Sequence, residues 1–129
     1  MADQSPGNRL RWLPYLYAAG AVFWLIELTQ FAAVLAAPVG RQQLTKALAN
    51  AGFAGDAGSM LVVESVLIVF VEASSVALHA AAYYGLRRFR AWGWVSAVVV
   101  AGAWSLILVG IPILVFLLRR QTRSAYGVP

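Results

Sequence analysis

Glu27, Glu64 and Glu72 are the side chains most able to do chemistry here, because each lies inside a long apolar stretch. Glu27 sits within FWLIELTQF and Glu72 within LIVFVEASS, near the middle of the stretches Trp12–Ala37 and Met60–Tyr84. A carboxyl group halfway along such a segment marks a functional site by default, since apolar surroundings make its charge expensive. Glu27 and Gln30, at i and i+3, form a polar patch on the first stretch. On the second, Glu64, Glu72, Ser75 and His79 fall within one narrow arc of a helix, because steps of seven or eight residues nearly complete whole turns. Packed face to face, the two stretches would bring Glu27 and Glu72 together. Neighbouring carboxylates cannot both ionise cheaply, so such a pair would hold at least one proton at neutral pH, the situation that proton relays use. That chemistry fits a proton- or cation-coupled carrier or channel subunit, with His79 as a relay. The same residues also read as structural: each Glu hydrogen-bonded to Thr29, Gln30, Ser74, Ser75 or a backbone carbonyl, tying helix to helix.

Other chemistries find no residues. Glu72 and His79 share a face but stand about 10 Å apart along a helix axis, beyond one ion's reach. The i,i+3 Glu–His spacing of bundle di-metal sites is missing, and a lone histidine cannot ligate both faces of a haem. Without cysteine there is no disulfide, thiol nucleophile or thiolate metal site. Neither a serine nucleophile set nor a glycine-rich phosphate loop occurs. No catalytic residue, metal or cofactor is therefore expected, and the chain reads as a non-enzyme. A lipophilic cofactor such as a quinone, walled by Trp24 and Trp104, is the third alternative.

The elements that must position these groups follow from composition. The 129 residues are 61% hydrophobic and 12% charged, with mean hydropathy +0.73. A globular domain carries about a quarter charged residues, and a small chain has too much surface to hide such an excess of apolar side chains. Its surface must face lipid, which predicts one all-α integral membrane domain, a compact helical bundle over 1–129. Net charge is +5. Nucleic acid is rejected as a partner: three of the five acids lie inside apolar stretches, and the arginines cluster at segment ends, as anionic headgroups and the positive-inside rule require. The N-terminus resembles a signal peptide, but the apolar run is too long and contains Glu27 and Gln30, so a retained first helix is expected.

Four membrane segments are favoured, at about 13–37, 59–84, 91–109 and 111–126. The first ends before Pro38, and Ser59 is positioned to cap the second. Between them, 41–51 reads either as a short amphipathic helix at the membrane surface or as a solvated loop. The tract Ala91–Leu118 spans about 40 Å as one helix, so it is either a single span kinked at Gly110-Ile111-Pro112 or a short hairpin turning there. Charge separates the two. Four segments place Arg9, Arg11, Arg87, Arg88, Arg90, Arg119, Arg120 and Arg123 on one side, with only Arg41 and Lys46 opposite. Three spans divide the cations evenly. The biased arrangement puts both termini in the cytoplasm, with Arg87, Arg88, Arg90, Arg119, Arg120 and Arg123 at lipid headgroups. Trp12, Tyr15, Tyr17, Tyr83, Tyr84, Trp92, Trp94 and Tyr126 would form an aromatic belt on that side.

Small residues are expected to pack the helices. Ala73, Ala77, Ala81 and Gly85 form one four-residue row, and Gly93, Ala97, Ala101 and Ser105 another. They fit an antiparallel pair along both rows, or a homodimer through either.

The pieces Gly85-Leu86-Arg87-Arg88-Phe89-Arg90-Ala91-Trp92-Gly93, Gly110-Ile111-Pro112 and Leu117-Leu118-Arg119-Arg120-Gln121-Thr122-Arg123-Ser124-Ala125-Tyr126-Gly127 carry a resemblance. They resemble small uncharacterised bacterial multi-pass inner-membrane proteins, in which R-x-W opens the third helix and LLR…R…AY closes the fourth. The resemblance covers the last third of the chain and implies a four-segment fold with no activity attached. The reading that follows is a small accessory or interaction protein of the bacterial cytoplasmic membrane, partnered by the lipid bilayer and by copies of itself or a larger membrane complex.

Overall fold

The computed structural model describes residues 10–106 and 110–129. Arg9, and residues 107–109 at the end of the expected third segment, lie outside the described residues. Every described element is helical: α1 (Leu13–Ala36), α2 (Pro38–Leu48), a π-helical turn (Ala49–Phe53), α3 (Ala57–Arg87), α4 (Ala91–Ser105), α5 (Gly110–Leu118) and α6 (Arg120–Ala125). No strand occurs among the described residues.

Two helices are long and apolar enough to cross a membrane, α1 with 24 residues and α3 with 31. At 1.5 Å per residue they measure about 36 and 46 Å, against a hydrocarbon thickness of about 30 Å. Much of their apolar surface is not packed away. The most apolar window of each is 0% buried, and Val62, Val66, Leu67 and Phe70 stand exposed on α3.

Helix α3 starts before Ser59 and continues past Ala82 and Gly85. The Met60 N–H donates to the Asp56 carbonyl at 2.9 Å, so the helix is already under way at Ser59, which lies in its first turn and does not cap it. Helix α1 stops at Ala36 because Pro38 forces Ala37 into extended backbone (φ −79°, ψ 128°). Pro38 then opens α2, where its missing N–H costs nothing. The 41–51 stretch is thus helical and begins three residues early.

The tract after Arg90 is a hairpin, not a kinked rod. Trp94, near the start of α4, donates its indole N–H to the Leu117 carbonyl at 3.0 Å, near the end of α5. At the other end Gly110 lies against the Ala101 carbonyl and the Ser105 N–H, where a Cβ would overlap backbone. The two helices therefore run antiparallel. Pro112 sits in the first turn of α5, where no intrahelical donor is needed, so it starts a helix and does not bend one. The expected 111–126 segment is interrupted at Arg119, whose backbone leaves the helical region (φ −59°, ψ 137°), and the polar run RQTRSA forms α6.

The chain forms two compact units, one joining the residues up to Val22 with Ser75–Pro129, the other spanning Phe23–Ser74. In the first unit, α1 and α3 run antiparallel: the rings of Tyr15 and Tyr83 lie 6.4 Å apart, and farther along Gly20 meets His79. The core gathers Leu13, Leu86, Leu117 and Tyr126, so the start of α1 and the ends of α3, α5 and α6 share one place. In the second unit, α2 is tied to the end of α1. Arg41 donates from Nη1 to the Leu35 and Ala36 carbonyls at 2.7 and 3.2 Å, satisfying carbonyls that a helix C-terminus leaves unpaired.

Candidate functional site

His79 is the polar centre of the first unit, and it is 5% exposed. Its Nδ1 lies 2.8 Å from the Ser75 carbonyl oxygen, an acceptor only, so Nδ1 carries the proton and donates. Nε2 accepts from the Trp104 indole N–H at 3.2 Å, which donates only. Both ring nitrogens are thereby engaged and one tautomer is fixed. The Trp104 ring meets the imidazole edge-on at 6.3 Å, and the Tyr17 ring stands 6.2 Å away. Gly20 makes room: a Cβ there would overlap Cδ2 of His79. One turn along α1, the Tyr17 hydroxyl donates to the Ala97 carbonyl at 2.9 Å. Two side-chain bonds thus stitch α4 to α3 and α1.

In the second unit Glu27 and Glu72 are both half-buried and close enough for their charges to interact. The Oε2 atom of Glu72 is shielded and has no hydrogen-bond partner. Thr29 donates to the Leu25 carbonyl at 2.7 Å, and Gln30 is exposed. Glu64 is exposed as well, while Ser75 is half-buried and joined to His79 through its carbonyl. Among the described residues no three His, Asp or Glu side chains gather as a metal site. Of the two expected cofactor walls, Trp104 is engaged by His79, and Trp24 packs edge-on against Phe23 at 5.6 Å.

The two small-residue rows meet at one point. Gly85 and Gly93 lie backbone to backbone, and a Cβ on either would overlap the other. Ala77 and Ala73 are exposed and Ala81 is half-buried, so Ala82 replaces that row in the core. Ala97 and Ala101 are buried, but Ala101 and Ser105 receive Gly110 of α5. The second row therefore builds the hairpin more than a seam with α3, because a glycine on α5 offers a closer approach than the alanines of α3.

The basic end is organised by aromatic rings. Arg87 donates to the Tyr83 hydroxyl at 3.0 Å, Arg88 lies 4.2 Å over the Tyr84 ring, and Tyr84 stacks with Trp92 at 6.3 Å. Arg90 is the N-cap residue of α4. Arg119 and Arg120 are exposed on the approach to α6, and Arg123 is half-buried. Tyr17 and Tyr126 leave the expected belt and enter the core: the Tyr17 hydroxyl reaches the Ala97 carbonyl, and the Tyr126 ring stacks on Phe89 at 5.4 Å. Phe89 takes a left-handed backbone (φ 50°), the bend that turns α3 into α4. Burial pushes the Tyr126 phenol up from 10.0 to about 12.

Sequence reasoning missed Gly20 and the Tyr17 hydroxyl as site residues. The available signal was their i,i+3 spacing, which puts a hydroxyl and a gap on one face of α1. Comparison with protein-family models, with curated proteins and with solved structures finds no match to this chain.

Proposed function

We propose that this is a small, non-enzymatic integral membrane protein of the bacterial cytoplasmic membrane, acting by association as an accessory component or homo-oligomer. One observation carries the reading: in the most apolar windows of α1 and α3 no residue is buried, and large apolar side chains such as Val62, Val66 and Phe70 stand exposed. In water so large an apolar surface would drive aggregation; in hydrocarbon it is the ordinary outer surface of a helix whose backbone is satisfied internally.

The hairpin supports four membrane segments with both termini cytoplasmic. It returns Arg119, Arg120 and Arg123 toward the end of the unit that holds Arg87, Arg88 and Arg90. At 15 and 9 residues, α4 and α5 measure about 22 and 14 Å, so the pair enters as a short hairpin. The charge bias is the same however deep it reaches. Kinship with the small multi-pass proteins is supported by Arg90 and Trp92 opening α4 and Leu117-Leu118-Arg119 closing α5.

Because the chain lacks cysteine, single-cysteine labelling tests this directly. Ser124→Cys is expected to resist a membrane-impermeant maleimide in intact spheroplasts, while Gln43→Cys reacts. Release of the protein by alkaline carbonate would refute membrane integration.

A second reading, a proton- or cation-coupled carrier subunit, is favoured by the electrostatic interaction of Glu27 with Glu72 and by the shielded, unpaired Oε2 of Glu72. His79 fits less well as its relay, since both nitrogens already have partners. Proton flux in liposomes that disappears with Glu72→Gln would favour this reading.

A further inference from the structure

Helix α2 carries a groove that neither reading uses. It encloses about 470 Å³ and is lined by Pro38, Arg41, Gln42, Thr45, Lys46 and Ala49. These positions share one face of the helix. Its lining is mostly apolar surface, yet two of its six residues are cations, and no acid occurs anywhere on α2.

Two further observations fix what the groove would meet. A single residue, Ala37, separates α2 from the end of α1, and the Arg41 bonds to the Leu35 and Ala36 carbonyls hold it there. If α1 crosses the bilayer, α2 therefore lies at the depth where hydrocarbon gives way to headgroups. Both Nη1 hydrogens of Arg41 serve α1, which leaves the three N–H groups of Nε and Nη2 for an anion. Lys46 supplies a second, mobile ammonium a little more than one turn along. Thr45 is already committed, donating to the Arg41 carbonyl at 2.9 Å, so the anion would be held by the two cations and the Gln42 amide. A mostly apolar lining that carries two cations matches a glycerophospholipid, whose acyl methylenes meet the apolar surface and whose phosphate meets Arg41 and Lys46.

We infer that the Arg41–Lys46 face of α2 is a binding site for the headgroup of an anionic phospholipid. This rests on the membrane reading, and it concerns the end of α1 opposite the arginine-rich one.

The test uses the full chain purified in mild detergent, with short-chain phosphatidylglycerol and phosphatidylcholine titrated separately and followed by native mass spectrometry. Preferential binding of phosphatidylglycerol is expected, weakened about fivefold by Lys46→Gln and further by adding Arg41→Gln. Lys46→Gln alone leaves the Arg41 contacts with α1 intact, so its loss of affinity is not a loss of fold. Equal binding of the two lipids, or no change with Lys46→Gln, overturns the inference. So does displacement of the lipid by millimolar inorganic phosphate, which would assign the face to a free anion. Failure of the membrane reading shows separately, as release by carbonate; a protein that stays in the membrane but binds both lipids alike refutes only this site.

Discussion

Trp104 and His79, 25 residues apart, are joined by an indole N–H donated to an imidazole nitrogen at 3.2 Å. With the Ser75 carbonyl occupying the other nitrogen, the imidazole becomes a fixed connector between α3 and α4. Trp104→Phe keeps most of the ring packing and removes the donor. It is expected to cost about 1 kcal/mol, read from the midpoint of unfolding in mixed detergent micelles. An unchanged midpoint would show that the bond contributes nothing.

The glycines make a prediction of opposite signs. Gly93→Ala places a methyl against the Gly85 backbone, which has no flexible side chain to move aside. A loss of about 1–3 kcal/mol is expected. Gly102, also on α4, faces open space, so Gly102→Ala is expected to stabilise by roughly 0.5–1 kcal/mol through helix propensity. Equal effects at the two positions would contradict the close approach of α3 and α4.

Gly20 gives a softer case, because what it meets is the edge of a ring. Gly20→Ala should displace the His79 imidazole and weaken its bond to Trp104. In the Gly20→Ala background, Trp104→Phe is then expected to cost less than it does alone. Strictly additive losses would separate Gly20 from the histidine.

Tyr126 links pH to stability. Its phenol is neutral when protonated, and its value in the folded protein, about 12 against 10.0, lies above the unfolded one. The stabilisation is therefore complete below pH 10 and declines as pH rises toward 12. Ultraviolet titration of tyrosinate should show a late-ionising phenol that Tyr126→Phe removes. Since the hydroxyl has no hydrogen-bond partner, that substitution is expected to leave the unfolding midpoint at neutral pH unchanged or raise it.

For the acid pair, Glu72→Gln replaces the carboxyl group that interacts with Glu27 by a neutral amide. As helix glue, Glu72 would lose stability on this change; as half of a repelling pair it is expected to gain. The unfolding midpoint of Glu72→Gln, compared with that of Glu64→Gln on the exposed face, decides between them.

What the sequence determined was local. Runs of apolar residues longer than a bilayer is thick dictated two long helices, expected at 13–37 and 59–84 and found at 13–36 and 57–87. Proline at 38 marked where the first helix stops, and the placement of arginine and of the three glutamates set the charge asymmetry and the acid positions. The ambiguity at Gly110-Ile111-Pro112 could not be resolved locally, because glycine before proline suits a kink and a helix start equally. Tertiary contact decided it, through Trp94 reaching Leu117 and Gly110 seating on Ala101. The same holds for His79, whose partner Trp104 lies 25 residues away, and for Tyr17, whose acceptor on Ala97 lies 80 residues away. Helical periodicity records which residues share a face of one helix. It carries no information about which face of another helix comes within hydrogen-bonding reach, and alanine rows are too common to supply it. That choice falls to the rarer places where two backbones can touch, as Gly85 and Gly93 do.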